Sequence, residues 1–202
     1  MWVKVPTLAK RLIKGVVWDV PAENKKIYLT FDDGPEPEVT PRVLVFLSQY
    51  GAKATFFCLG EKIEKNLPLF NAIKAGGHAI GNHGYKHLSG FRASTSDYIA
   101  NAKRGAEFSG SRLFRPPYGR ITPWQYKALK REHSIVMWSA MSMDFSAKVT
   151  PEQCVNNVLS NIYPGAIVVF HDTPKAAANL LVALPQILEN LSGQGYTFEV
   201  LC

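Results

Sequence analysis

Tyr28-Leu29-Thr30-Phe31-Asp32-Asp33-Gly34-Pro35 is the stretch on which the reading of the chain turns. An unbroken apolar run that includes β-branched and aromatic residues ends abruptly in two carboxylates, then in a Gly-Pro turn. Apolar residues without polar alternation suit a parallel strand covered on both faces. The paired aspartates then stand at the strand's C-terminal end. Similar short runs recur at 54–59, 78–81, 113–114, 135–138, 166–170 and 196–201.

Between them lie stretches with helical spacing. Val43, Leu44, Phe46, Leu47 and Tyr50 share one face, and Gly51 stands where a C-cap belongs. Further helices are expected over 62–75, 95–109, 123–131, 151–161 and 176–191. Thr-Pro recurs at Thr40-Pro41, Thr122-Pro123, Thr150-Pro151 and Thr173-Pro174. Threonine can cap a helix through its hydroxyl, and proline costs nothing at the next position, where the N–H has no helical partner. Gln125 and Gln153 complete capping boxes for two of the four. Strand alternating with helix throughout predicts an α/β fold, a distorted or incomplete (β/α) barrel of about seven parallel strands. A doubly wound open sheet is the alternative. Residues 27–202 read as one domain, with 1–26 as a terminal segment packed on it.

Composition narrows the class. Of 202 residues, 47% are hydrophobic and 19% charged, as in an ordinary globular protein. The net charge of +7 favours anionic partners, but the basic residues are scattered, which argues against nucleic acid. Cys58, Cys154 and Cys202 lie far apart and are odd in number, so no disulfide framework or Cys-x-x-Cys zinc site is expected; two should be packed inside. The N-terminus carries Lys4, Lys10, Arg11 and Lys14 without an apolar run of signal-peptide or membrane-span length. Leu8, Leu12 and Ile13 could line a short basic helix at a membrane surface. The expected location is therefore cytoplasmic or membrane-peripheral, with oligomeric state open.

The polar residues collect at strand ends. Asp32 and Asp33 follow the first run, His83 and His87 the third, and Arg115 and Tyr118 the fourth. Asp144 comes after the fifth, His171 and Asp172 after the sixth. In α/β folds that is the face where sites form. Of two adjacent carboxylates, one can bind a cation while the other takes a proton from water. His83 and His87, four apart, have metal-ligand spacing, and Asp33 would complete a facial set. Arg115, fixed before two prolines, can orient a carboxylate. The Tyr118 N–H can face a developing oxyanion. His171 suits a proton donor that Asp144 keeps charged. His78 and His133 lack companions and read as structural.

Five of these motifs, in order, resemble the polysaccharide deacetylases, carbohydrate esterase family 4 with its NodB-type homology domain. They are Thr30-Phe31-Asp32-Asp33-Gly34-Pro35, His83-x-x-x-His87, Arg115-Pro116-Pro117-Tyr118-Gly119, Ser142-Met143-Asp144-Phe145 and Val169-Phe170-His171. The resemblance implies a metal-dependent hydrolase that removes N-acetyl groups from amino sugars, with water on the metal as nucleophile. It implies Asp32 as general base and Asp33, His83 and His87 as ligands of Zn²⁺, or of another divalent ion such as Co²⁺ or Ni²⁺. Arg115 would orient Asp32, Tyr118 would hold the oxyanion, and His171 would be the acid tuned by Asp144. Phe145 and Val169 would line the acetyl pocket. Three positions depart from the family pattern: Gly84 in place of Ser or Thr, Met141 in place of Asp, and Phe145 in place of Trp. Gly84 implies a missing brace on the histidine loop. The same site could serve another amide or an ester, and a carbohydrate-binding protein without catalysis is a third reading.

Overall fold

The computed structural model describes residues 3 and 15–202. The basic N-terminal face around Leu8, Leu12 and Ile13 lies outside them. Strands and helices alternate as the sequence implies. The strands are β1 (Val16–Val17), β2 (Lys26–Asp32), β3 (Ala54–Cys58), β4 (Ala79–Asn82), β5 (Leu113–Phe114), β6 (Ser134–Val136), β7 (Ala140–Met141), β8 (Ile167–His171) and β9 (Thr197–Phe198). The helices are α1 (Thr40–Gln49), α2 (Gly60–Lys65), α3 (Leu67–Ala75), α4 (Thr95–Ser109), α5 (Pro123–Leu129), α6 (Pro151–Leu159) and α7 (Pro174–Gly193).

Parallel pairing gives the order β1-β6-β5-β4-β3-β2-β8-β7, with β9 joined to the start of β2. Among the described residues β1 and β7 do not pair, so the curled sheet is an incomplete, distorted (β/α) barrel. Among the described residues it holds two strands more than the seven expected, β1 and β7, each only two residues long. With β1, the sheet also begins upstream of residue 27.

The expected single helix over 62–75 is two, α2 and α3, separated at Asn66 (φ −135°). Pro68 fits the break: in a continuous helix its missing N–H would cost a bond and its ring would clash with the preceding turn, whereas in the first turn of α3 it costs nothing. The capping boxes at Thr122 and Thr150 form as expected. Thr173 occupies an N-cap but makes no side-chain cap bond. Thr40 lies inside the first turn, with Val39 as N-cap, and its hydroxyl donates to Asp172. Among the described residues no helix is long and apolar enough to cross a membrane.

The two faces of the central strands have different work. Ile27, Leu29 and Phe31 of β2, with Val168 and Phe170 of β8, pack outward with Val43, Leu47, Val158, Leu180 and Leu184 from the surrounding helices. Tyr28 of β2, Phe57 of β3 and Ile167 and Val169 of β8 pack with Val136, Trp138 and Met141 in the barrel interior. Side chains alternate along a strand, so Thr30 and Asp32 share the inward face with Tyr28, and His171 shares it with Val169. Asp32 and His171 are register partners at the top of β2 and β8. The interior core thus ends upward in charged residues. Cys58 and Cys154 are buried and all three cysteines are free thiols.

Candidate active site

A depression of about 280 Å³ opens at the C-terminal ends of the strands and is lined by residues that include Asp32, Asp33, His83, His87, Tyr118 and His171. Arg115 organises its floor. The side chain is fully buried; one guanidinium nitrogen donates to Thr30 Oγ1 and Asp32 Oδ1 (both 2.7 Å), and the other to the Met137 carbonyl (2.9 Å). Its Cζ sits 4.1 Å from the centre of the Phe57 ring. Burial lowers the Arg115 pKa from its ordinary value while Asp32 opposes that shift. A buried charge pair of this kind persists because each partner compensates the other. The Asp32 carboxylate is thereby pinned to one oxygen.

Asp33, the next residue, adopts φ 76°, which turns its side chain away from that of Asp32. Its Oδ1 lies 3.3 Å from His83 Nε2 and 3.1 Å from His87 Nε2. Neither approach has hydrogen-bond geometry, and this buried oxygen has no hydrogen-bond partner. His83 Nδ1 lies 2.8 Å from the Arg115 carbonyl. A carbonyl only accepts, so Nδ1 carries a proton there, and Nε2 is the ring nitrogen that faces Asp33. Burial, aided by His83, holds the His87 pKa down at about 4, so that imidazole is neutral at pH 7. Burial raises the Asp33 pKa, but the surrounding imidazoles, His83 foremost and then His87 and His171, outweigh it and hold the carboxyl well below its ordinary range. The three ligand atoms lie within 4.8 Å of one another. One carboxylate and two imidazole nitrogens converging in this way fit a divalent cation such as Zn²⁺.

Across the depression His171 Nδ1 donates to Asp144 Oδ1, and the His171 backbone N–H donates to Asp144 Oδ2, both at 2.8 Å. Phe145 N–H adds a third bond to the same carboxylate (3.0 Å). Burial works against charge on His171, but the charge and hydrogen bond of Asp144 outweigh it, with help from Asp32 and Asp33. The pKa rises to about 9. The charge-tuning contact expected from the sequence is direct. Asp172, the neighbour, is fully buried; burial raises its pKa to about 7 although the Thr40 hydroxyl bonds its Oδ2. A Cβ at Gly34 would collide with that carboxylate, which accounts for the glycine after the two aspartates.

Tyr118 sits in the 3₁₀ turn Pro117–Gly119 with φ 60° and ψ 7°. Asp33, Tyr118 and Met143 are the three non-glycine residues with positive φ among those described. Two line the depression and the third precedes Asp144, so the left-handed backbone is concentrated where the chemistry would be. Gly119 lets the turn approach the Trp138 indole, against which a Cβ would collide.

The remaining expectations divide. Phe145 lines the depression and meets the His171 ring edge-on, with centroids 4.8 Å apart. Val169 does not line it. It lies one pleat below His171, fully buried in the barrel core, and its register partner Met141 forms the wall instead. The expected weakness at Gly84 is absent as well. Gly84 N–H donates to Asn82 Oδ1 (2.8 Å), and Asn101 clasps the loop through Lys86 N–H and Lys86 O (both 2.8 Å). Gly84 has φ 86°, and a Cβ there would collide with Asn101, so the glycine makes room for the brace. Sequence reasoning missed Trp138 and Lys175 as lining residues. Trp138 was legible only as the end of a strand run, and Lys175 only as the residue after a Thr-Pro.

Residues 19–133 match the family model described as polysaccharide deacetylase. The chain belongs to that family. The chain is similar to a peptidoglycan-N-acetylglucosamine deacetylase of Bacillus cereus, 38% identical over 91% of this chain and 89% of the relative. A chitooligosaccharide deacetylase of Azorhizobium caulinodans is 33% identical over 87% and 92%. A solved peptidoglycan N-acetylglucosamine deacetylase, bound to a naphthalenyl N-hydroxybenzamide, superposes with TM-score 0.89 and 32% identity over 98% of this chain and 95% of that one. A family 4 pseudoenzyme from Bacillus anthracis is also similar, with TM-score 0.79 and 26% identity over 94% and 68%. The polysaccharide deacetylase described here is a hydrolase of the class acting on carbon–nitrogen bonds other than peptide bonds.

Proposed function

We propose that this deacetylase removes N-acetyl groups from N-acetylated amino sugars within an oligo- or polysaccharide, with a divalent cation on Asp33, His83 and His87. The observation that carries the reading is the placing of a carboxylate held by Arg115 and an imidazole held by Asp144 on one depression. Asp32 is held as an acceptor by Arg115, and His171, with its pKa near 9, is charged at neutral pH. A hydrolase that attacks with water and expels an amine needs that pair.

Asp32 takes a proton from the attacking water, and Arg115 keeps the carboxylate from turning away. The Tyr118 N–H, in its left-handed turn, faces the carbonyl oxygen as negative charge grows there. His171 then delivers a proton to the sugar nitrogen as the C–N bond breaks, leaving acetate and a free amine. Phe145, Met141 and Trp138 give the acetyl methyl an apolar wall. A divalent cation in the Asp/His/His cluster would supply Lewis-acid polarisation and make water more acidic.

The test is acetate release from chito-oligosaccharides and peptidoglycan glycan strands, with and without chelator. Release that the chelator abolishes, and added Zn²⁺ or Co²⁺ restores, is expected. Saturable binding of these glycans without any acetate would make the chain a carbohydrate-binding member instead.

A further inference from the structure

A second depression of about 480 Å³ adjoins the first, and His87 and Tyr118 line both. Its other walls include Ser89, Arg92 and Arg120, and no carboxylate lines it. Both arginines are exposed. Among the described residues neither guanidinium has an ion-pair partner. The Arg120 guanidinium stands 5.9 Å from the centre of the Tyr118 ring and 6.0 Å from that of Phe91, which is 65% exposed. Exposed rings flanking a cation offer apolar faces for a sugar and charge for an anion. The Ser89 hydroxyl, on a residue 9% exposed, has no hydrogen-bond partner. A buried hydroxyl left unpaired costs stability, which is recovered when a ligand bonds it.

The walls are built rather than loose. Gln125, fully buried at the start of α5, donates to the Gly90 carbonyl (2.9 Å). Tyr98 of α4 donates to the Arg120 carbonyl (3.4 Å). Gly90 allows its loop to press on the Arg120 backbone and Gln125, where a Cβ would collide. The segments that carry Ser89, Arg92 and Arg120 are thus fixed to one another and to two helices.

We propose that this depression is a subsite for a carboxylate on the sugar next to the one being deacetylated. The proposal rests on the deacetylase reading and names its substrate class: a glycan in which N-acetylated amino sugars alternate with acidic ones. Two planar guanidinium groups with free donors match a carboxylate's two oxygens, the Ser89 hydroxyl is a further donor, and the shared His87–Tyr118 wall puts the acid one sugar from the acetyl group.

The test compares acetate release by the metal-loaded full chain from three oligosaccharides. One is neutral chito-oligosaccharide. The second alternates N-acetylglucosamine with glucuronate, and the third is peptide-free peptidoglycan strand, whose acid is a lactyl ether carboxylate. The expected result is a kcat/KM on the order of 10–100-fold higher for at least one acidic substrate, expressed in KM, from hydrogen bonds to charged groups. The acidic substrate preferred identifies which carboxylate position fits. Combined Arg92→Gln and Arg120→Gln should bring the acidic-to-neutral ratio to within about 3-fold, since each loses a charge-assisted contact. Removing two exposed cations elsewhere, with Arg42→Gln and Lys65→Gln, should keep most of the preference. Equal rates on all three substrates would overturn the subsite while leaving deacetylation standing. A preference lost equally in the control pair would also overturn it, by assigning the effect to the general positive field. No acetate from any substrate would overturn the reaction, and the subsite with it. The wild-type comparison and the single variants, checked by thermal melting, keep the test decisive if the double variant folds poorly.

Discussion

Replacing Asp144 by Asn removes one charge from the wall that holds His171 while leaving nearly the same volume. Three N–H groups now converge on the carboxylate: His171 Nδ1 and Phe145 N on Oδ1, and His171 N on Oδ2. An amide has one oxygen, so the His171 backbone N–H would face an NH₂ and lose its acceptor, at a cost of about 1–3 kcal/mol. The larger consequence is for the proton. His171 stands at about 9 instead of its ordinary 6.5, a displacement worth on the order of 3 kcal/mol in favour of the charged imidazole. Because the folded pKa is the higher one, that stabilisation is complete below pH 6.5 and is lost as pH rises through 9. Without the Asp144 charge, burial, the largest influence on the group, is opposed only by Asp32 and Asp33, and the pKa should fall to about 6.5 or below. At pH 7.5 no more than about a tenth of the enzyme then holds the acid's proton, so kcat/KM should drop about tenfold or more. The assay is acetate release from pH 5 to 10 with metal content measured in parallel. The alkaline limb should move from near pH 9 to pH 6.5 or below, with metal retained and unfolding shifted to lower temperature. An unmoved alkaline limb would refute the assignment of His171 as the acid tuned by Asp144.

Two further substitutions separate base from ligand. Asp32→Asn leaves the Asp33, His83 and His87 cluster untouched, so metal should stay while kcat falls by roughly 10²–10⁴-fold; loss of metal would assign Asp32 to the ion. His87→Ala removes one of three converging donors, and metal and activity should leave together, read by metal analysis after dialysis and by acetate release. Full occupancy in that variant would remove His87 from the ligand set.

The site was legible because charged residues follow buried apolar runs, and a buried strand gives its C-terminal residues a fixed direction. Asp32 and His171 needed only that parity. Less was readable where contact depends on distant chain. Two-residue strands such as Val16–Val17 and Ala140–Met141 have no period to detect. The family resemblance implied Val169 in the acetyl wall, yet depth in the barrel, not membership of a motif, decides what a pocket touches. The brace on the histidine loop was invisible at Gly84, since it comes from Asn101 on α4.

Arg115 ties two functions to one residue: its carbonyl fixes the tautomer of His83, and its guanidinium fixes the orientation of Asp32. A substitution there removes the guanidinium from Asp32 while keeping the carbonyl, and any backbone shift that follows would carry the disturbance to His83 as well. Changes at Arg92 or Arg120 touch neither. The fold therefore separates what a lineage can vary from what it must keep: sugar preference can drift at the rim while the reaction, anchored through position 115, survives or is lost as a unit.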